Sequence, residues 1–196
     1  MNGGESDDVK RSIMTLIEAL QTVPDHRRGA GQRYPLWVFL VLIILGTMSG
    51  YRGYRGLTRF MVRHQGHLAE QFGLKRDKLP SYSTIRRLLL EIDFNAVAVA
   101  FNTWAQAAGL VQAGDNCAID GKSLTNTVSN AHSAQQNFVN VVSVFQLEQG
   151  MVVGQAAFEN HDKSEIQVVY ELLERLQLSG VSVSLDALHA QKKRLP

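Results

Sequence analysis

Apolar residues at Ile13, Leu16, Ile17 and Leu20 recur at the spacing of one helix face, so the first element predicted is a helix over residues 9–23. The eight residues before it carry almost no apolar side chains and read as a frayed terminus. Pro24 and Pro35 bracket a loop rich in arginine and glycine, after which LWVFLVLIIL (residues 36–45) is apolar on every side. A helix of that kind is buried. Spanning a bilayer takes about 20 such residues, and this run meets Gly46, Thr47 and Ser49 first, so it reads as an interior helix. YRGYRGLTRFMVRHQ (residues 51–65) follows as a basic, aromatic helix or turn and helix. In LPSYSTIRRLLLEID (residues 79–93), Ser81 or Ser83 is placed to cap a helix, with Arg86 and Arg87 in its second turn and leucines behind them. A further helix over residues 94–108 stops at Gly109, so the first 110 residues read as all-helical.

Past Gly114 the pattern turns strand-like and β-branched residues replace leucine. NCAIDG is a short apolar run, and NFVNVVSVFQLEQG and MVVGQAAFEN are two more, joined at a Gln-Gly turn. A helix over residues 164–178 precedes the last strand, residues 182–185. The order strand, strand, strand, helix, strand predicts an α/β sheet with a hairpin at one side, its last strand returned parallel to the first by a crossover. The expected organisation is a polar terminus and first helix (1–23), a helical domain (24–112) and an α/β domain (113–196).

Composition changes this picture in one respect. The net charge of +2 hides a segregation, because residues 1–112 carry 14 Lys/Arg against 9 Asp/Glu, whereas residues 113–196 carry 6 against 9. Between residues 26 and 89 there are 12 basic and 2 acidic residues, the footprint of a surface that meets phosphate; a merely solvated basic face is the competing reading. A single cysteine, Cys117, excludes an internal disulfide and points to a reducing cytoplasm. The polar, acidic first ten residues argue against a signal peptide. Trp37 and Trp104 stand among apolar neighbours and are expected in the core.

The candidate chemistry is a pair of carboxylates. Asp120 and Asp186 each end a predicted strand, and a right-handed crossover would set those strands side by side. Convergent carboxylates suit Mg²⁺ or Mn²⁺, ions that stabilise the attacking and leaving oxygens of a phosphodiester. The alternative is that Asp120 opens an Asp-Gly turn and Asp186 caps the helix after it. Lys122, two residues after Asp120, is placed either to neutralise a bound phosphate or to be a solvated turn lysine. His189, Gln191, Lys192 and Lys193 fall on the opening turns after Asp186, where Lys or His can grip a DNA backbone. Glu165 reads as a first-turn acid favourable to the helix dipole, and His161 and Asp162 offer no metal-ligand spacing.

Several words occur together in order: DHRRGAGQRYPL (25–36), YSTIRRLL (82–89), AIDGKSL (118–124), KSEI (163–166) and LDALHAQKK (185–193). In combination they resemble the DDE transposases of the H-repeat-associated insertion-sequence family, from about Pro24 onward. The resemblance implies a helical DNA-binding domain followed by an RNase H-like catalytic domain, with Asp120 and Asp186 as the first two catalytic and metal-binding acids, Mg²⁺ or Mn²⁺ as cofactor, and transposon ends and target DNA as partners. It leaves room for self-association and implies a bacterial cytoplasm, at the nucleoid. Arg27, Arg28, Arg33, Arg86, Arg87, Lys122, Lys192 and Lys193 are the expected DNA contacts. The family's third acid, usually Glu, lies on a later helix, and no residue follows Pro196. The expectation is therefore a C-terminally truncated transposase with an incomplete RNase H-like domain, inactive by itself. A DNA-binding regulator or remnant without catalysis is the alternative.

Overall fold

The apolar run becomes α1 (Leu36–Met48), in which Leu36, Val38, Phe39, Leu40, Val41 and Leu42 are all buried. It is seen in a computed structural model that describes residues 16–29, 32–74, 79–129, 137–159 and 162–185. Residues 16–21 are helical. The helix α2 (Gly53–Arg63) is two-faced, burying Gly56, Leu57, Phe60 and Met61. Gly46 lets α2 come close to α1: a β-carbon there would lie 2.9 Å from Leu57 Cδ2 and 3.1 Å from Phe60 Cδ1. A short α3 (Gln65–Gln71) and α4 (Tyr82–Glu91) complete the group. Val38, Leu42, Leu57, Phe60, Met61 and Ile85 form its core, and Trp37 packs edge-on to Phe72 at its margin. Ser81 precedes α4 with extended backbone, but its hydroxyl bonds the Ser83 and Thr84 hydroxyls at 3.1 and 3.0 Å, not a helix N–H.

The chain divides into two compact units, Leu20–Asp93 and a second that joins the chain before Leu20 to the segment from Phe94 onward. The helix α5 (Phe94–Ala107), grouped by sequence pattern with the helices before it, belongs by contact to the sheet. The sheet contains β1 (Asn116–Ser129), β2 (Asn137–Gln146), β3 (Met151–Glu159) and β4 (Ser182–Ser184), in the order β3-β2-β1-β4. The β1–β2 and β2–β3 pairs are antiparallel, while β4 lies parallel to β1 after a crossover through α6 (Glu165–Leu176). This is the mixed α/β arrangement that the strand pattern predicts.

Alternation fixes which face is buried. Cys117 and Ile119 of β1 and Val142 and Val144 of β2 meet Val168, Val169, Leu172 and Leu176 of α6. Burial pushes the Cys117 thiol up, consistent with an inert core residue. A capping box starts α6: Ser164 Oγ accepts from the Gln167 N–H, and the Gln167 side chain accepts from the Ser164 N–H. At the outer edge, buried Asn102 of α5 donates from Nδ2 to the Gln155 carbonyl at 2.9 Å and accepts from the Gln155 N–H at 2.8 Å. Its amide does there what a fifth strand would do.

Candidate functional site

Asp120 is exposed and is the fifth residue of β1. The strand does not end there as the sequence pattern suggests: Asp120 pairs with Ser143, Gly121 with Val142 and Lys122 with Val141. The ladder also rules out an Asp-Gly turn, because Gly121 stays paired. With Cys117 and Ile119 facing α6, alternation puts Asp120 and exposed Lys122 together on the opposite face.

On the α6 side of the same stretch lies a carboxylate that sequence reasoning assigned to the helix dipole alone. A β-carbon on Gly121 would meet the Glu165 carboxylate, coming within 2.7 Å of its Cδ. Only a residue without a side chain leaves that space, so Glu165 and Asp120 flank β1 at consecutive positions. No sequence signal marks this, since it depends on where α6 lies over the sheet. Asp186, Lys192 and Lys193, with His189 and Gln191, lie outside the described residues. Among the described residues no three His, Cys, Asp or Glu side chains gather as they would around a metal ion.

The arginines of the Leu20–Asp93 unit differ sharply from one another. Arg27 is tied into the structure: Nε and Nη2 donate to Asp25 at 2.8 and 2.7 Å, Nη2 also donates to the Tyr34 carbonyl at 2.7 Å, and the guanidinium stands 5.0 Å from the Phe39 ring centroid. That guanidinium holds the Asp25 carboxyl below its ordinary value. Arg28, Arg33, Arg86 and Arg87 are exposed. Four more exposed arginines, Arg52, Arg55, Arg59 and Arg63, were not singled out by sequence reasoning, although their three- and four-residue spacing places them on one face of α2.

Residues 17–105 match the DDE_Tnp_1-associated family. The chain is 29% identical over 181 residues to the "H repeat-associated putative transposase YhhI" of Escherichia coli K12, covering 92% of this chain and 47% of that protein. It is 27% identical over 180 residues to the "H repeat-associated putative transposase YbfD" of the same strain, covering 92% of this chain and 70% of that protein. The chain is similar to proteins named H repeat-associated putative transposases. It spans about half the length of the first curated relatives it matches. No solved structure gives a significant match.

The family segment takes in α1 to α4, most of α5 and every arginine named above, whereas Asp120 and Glu165 lie beyond it. Between residues 26 and 89, where most of the chain's basic residues lie, Arg28, Arg33, Arg52, Arg55, Arg59, Arg63, Arg86 and Arg87 are exposed. No single helix among the described residues is long and apolar enough to cross a membrane.

Proposed function

We propose that this chain carries the DNA-binding part and the opening part of the catalytic domain of an insertion-sequence transposase, its sheet being RNase H-like. Such an enzyme hydrolyses a DNA strand at the element's ends and joins the freed 3′-hydroxyl to target DNA. The parallel pairing of β4 with β1 carries the reading: Asn116, Cys117 and Ala118 stand beside Ser182, Val183 and Ser184. Asp120 is two residues past Ala118 in the sequence and Asp186 is two residues past Ser184; we take them as the two acids of one site, with Asp186 outside the described residues.

Carboxylates so placed supply the hard oxygen donors that Mg²⁺ or Mn²⁺ takes. When bound, the ion polarises the phosphoryl oxygen and lowers the pKa of the attacking water. Asp120 would hold the ion at an exposed position of β1. Lys122, on the same face, would offset phosphate charge. Arg28 and Arg33 would anchor the duplex through phosphates, and Arg86 and Arg87, near the start of α4, would face its groove.

A second reading is DNA binding without catalysis, carried by the exposed arginines of the Leu20–Asp93 unit. Calorimetric titration of Mn²⁺ into the chain, Asp120→Asn and Asp186→Asn separates the two. The transposase reading expects binding by the parent chain that weakens by about tenfold or more in each variant, the order of loss seen when a group supporting a metal site is removed. Identical isotherms for all three proteins would sink the metal site and leave the DNA-binding reading.

A further inference from the structure

The exposed face of α2 is unusual for its charge. Arg52 precedes the helix, and Arg55, Arg59 and Arg63 follow at one-turn intervals, with no Asp or Glu anywhere between Asp25 and Glu70. Successive arginines stand about 6 Å apart along the axis at a rise of about 1.5 Å per residue, and Arg55 to Arg63 spans about 12 Å. The helix cannot turn this stripe away, because Gly56, Leu57, Phe60 and Met61 on its other side are locked into the core. Like charges one turn apart destabilise a helix. Among the described residues no carboxylate forms an ion pair with Arg55 or Arg59. Folding alone gives such a stripe no function; an evenly charged anionic polymer does.

The stripe also has a groove beside it. Arg55, Thr58 and Arg59 of α2, together with Tyr82 at the start of α4, line an open depression of ≈ 590 Å³. Tyr82 is steadied by an edge-on contact with Tyr54 at 6.1 Å, yet keeps 41% of its surface exposed. Arg86 lies one turn further along the same face of α4 and is exposed. Arg55 and Arg59 of α2 therefore present cations to one channel, Tyr82 of α4 offers a phenol hydroxyl on its wall, and Arg86 stands one turn beyond it; the Thr58 hydroxyl is spent on the Tyr54 carbonyl at 2.8 Å.

We propose that this groove between α2 and α4 receives the sugar-phosphate backbone of duplex DNA, with Arg52, Arg55, Arg59 and Arg63 meeting successive phosphates and Tyr82 packing against the strand. The inference rests on DNA being the partner and adds where and how the backbone lies. Because the contacts are to phosphate, they hold the duplex in register without reading its sequence. Arg86 and Arg87, near the start of a helix, are left as the candidates for base edges.

The test uses the full chain, a fluorescently labelled duplex of arbitrary sequence and anisotropy measured across a salt series. Each phosphate neutralised contributes about −0.9 to the slope of log affinity against log salt, so Arg55→Gln with Arg59→Gln should flatten the slope by about 2 and weaken binding at least tenfold at low salt. Arg55→Lys with Arg59→Lys should keep the slope, and Arg175→Gln, which removes an exposed charge on α6, should match the parent. Circular dichroism checks that each variant is folded; if the glutamine pair is not, Arg52→Gln with Arg63→Gln replaces it under the same expectation. A folded glutamine variant that binds duplex with an unaltered slope overturns the groove while leaving DNA as the partner. Loss of all duplex binding by the parent chain at low salt overturns both. Arginine-dependent binding to phosphatidylserine vesicles with none to duplex assigns the stripe to a membrane surface and also overturns the proposal.

Discussion

Gly121 and Gly154 both lie where a side chain would collide with α6, and the partner in each collision decides the cost. At Gly154 a β-carbon would meet the Leu176 side chain, which is fixed in the core. Gly154→Ala should therefore cost about 1–3 kcal/mol by overpacking, measured by urea denaturation. At Gly121 the partner is the far end of Glu165, which can swing aside. Gly121→Ala should cost less, and a double-mutant cycle with Glu165→Ala should show coupling above about 0.5 kcal/mol; additive effects would remove the contact. Arg27 and Arg28 make a second contrast. Arg27→Ala strips a partly buried guanidinium from Asp25 and the Tyr34 carbonyl and should cost about 1.5–3 kcal/mol, whereas Arg28→Ala should stay within about 0.5 kcal/mol. Since Arg27 depresses the folded-state pKa of Asp25, this contribution is present above the ordinary carboxylate value and is lost as the pH falls through the lowered one. Arg27→Ala should flatten the acid limb of the stability curve below about pH 4, and an unchanged limb would contradict the assignment. Neither contrast was legible beforehand. DHRRGAGQRYPL shows three arginines alike, and only the fold ties one of them down.

At the scale of elements, the strands were legible in the sequence but their buried faces were not assigned there; in the structure Cys117, Ile119, Val142 and Val144, at every second position, form the face against α6. The crossover was equally legible, since a helical run between the third and last strands leaves few topologies. The extent of β1 was not. GKSLTNTVS reads as a polar turn, yet Gly121 to Leu124 pair with Val139 to Val142, so distant partners decide the strand where local preference does not. The stripe on α2 was legible by its four-residue spacing, whereas Glu165 against Gly121 depends on α6 docking over the sheet. The amide of Asn102 is likewise a tertiary device, set where one polar residue interrupts the buried side of α5. Asn102→Ala should leave the outward N–H and carbonyl of Gln155 without that partner, at about 1–3 kcal/mol. Thermal denaturation checks this, and a loss below about 0.5 kcal/mol would mean that water replaces the amide without penalty.

Over the whole molecule, charge and core follow the same division. The Leu20–Asp93 unit has its own apolar centre around Phe39, Leu42, Met61 and Ile85, while the sheet unit is centred on Val142, Val144 and Leu172. Each holds one of the two tryptophans, Trp37 and Trp104. Leu172→Ala should cost about 2–5 kcal/mol as a core truncation. It should lower the denaturation midpoint reported by Trp104, in a Trp37→Phe background, more than the midpoint reported by Trp37 in a Trp104→Phe background. Equal shifts would show one cooperative body. The sequence carried this division in its change from leucine to β-branched residues, but it could not reveal that α5 sides with the strands, since that depends on Asn102 and Gln106 reaching Gln155 and the end of α6.

The same amide gives the sheet a direction. Strand edges are templates that invite another strand, from the same chain or a second one, and β3 has its invitation already answered by Asn102. The flank beyond β4 has no strand on it among the described residues. Like a zipper with a stop part-way along one edge, β3 is interrupted for a newcomer at Gln155, whereas a strand added beside β4 would lie next to the register that aligns Ala118 with Ser184.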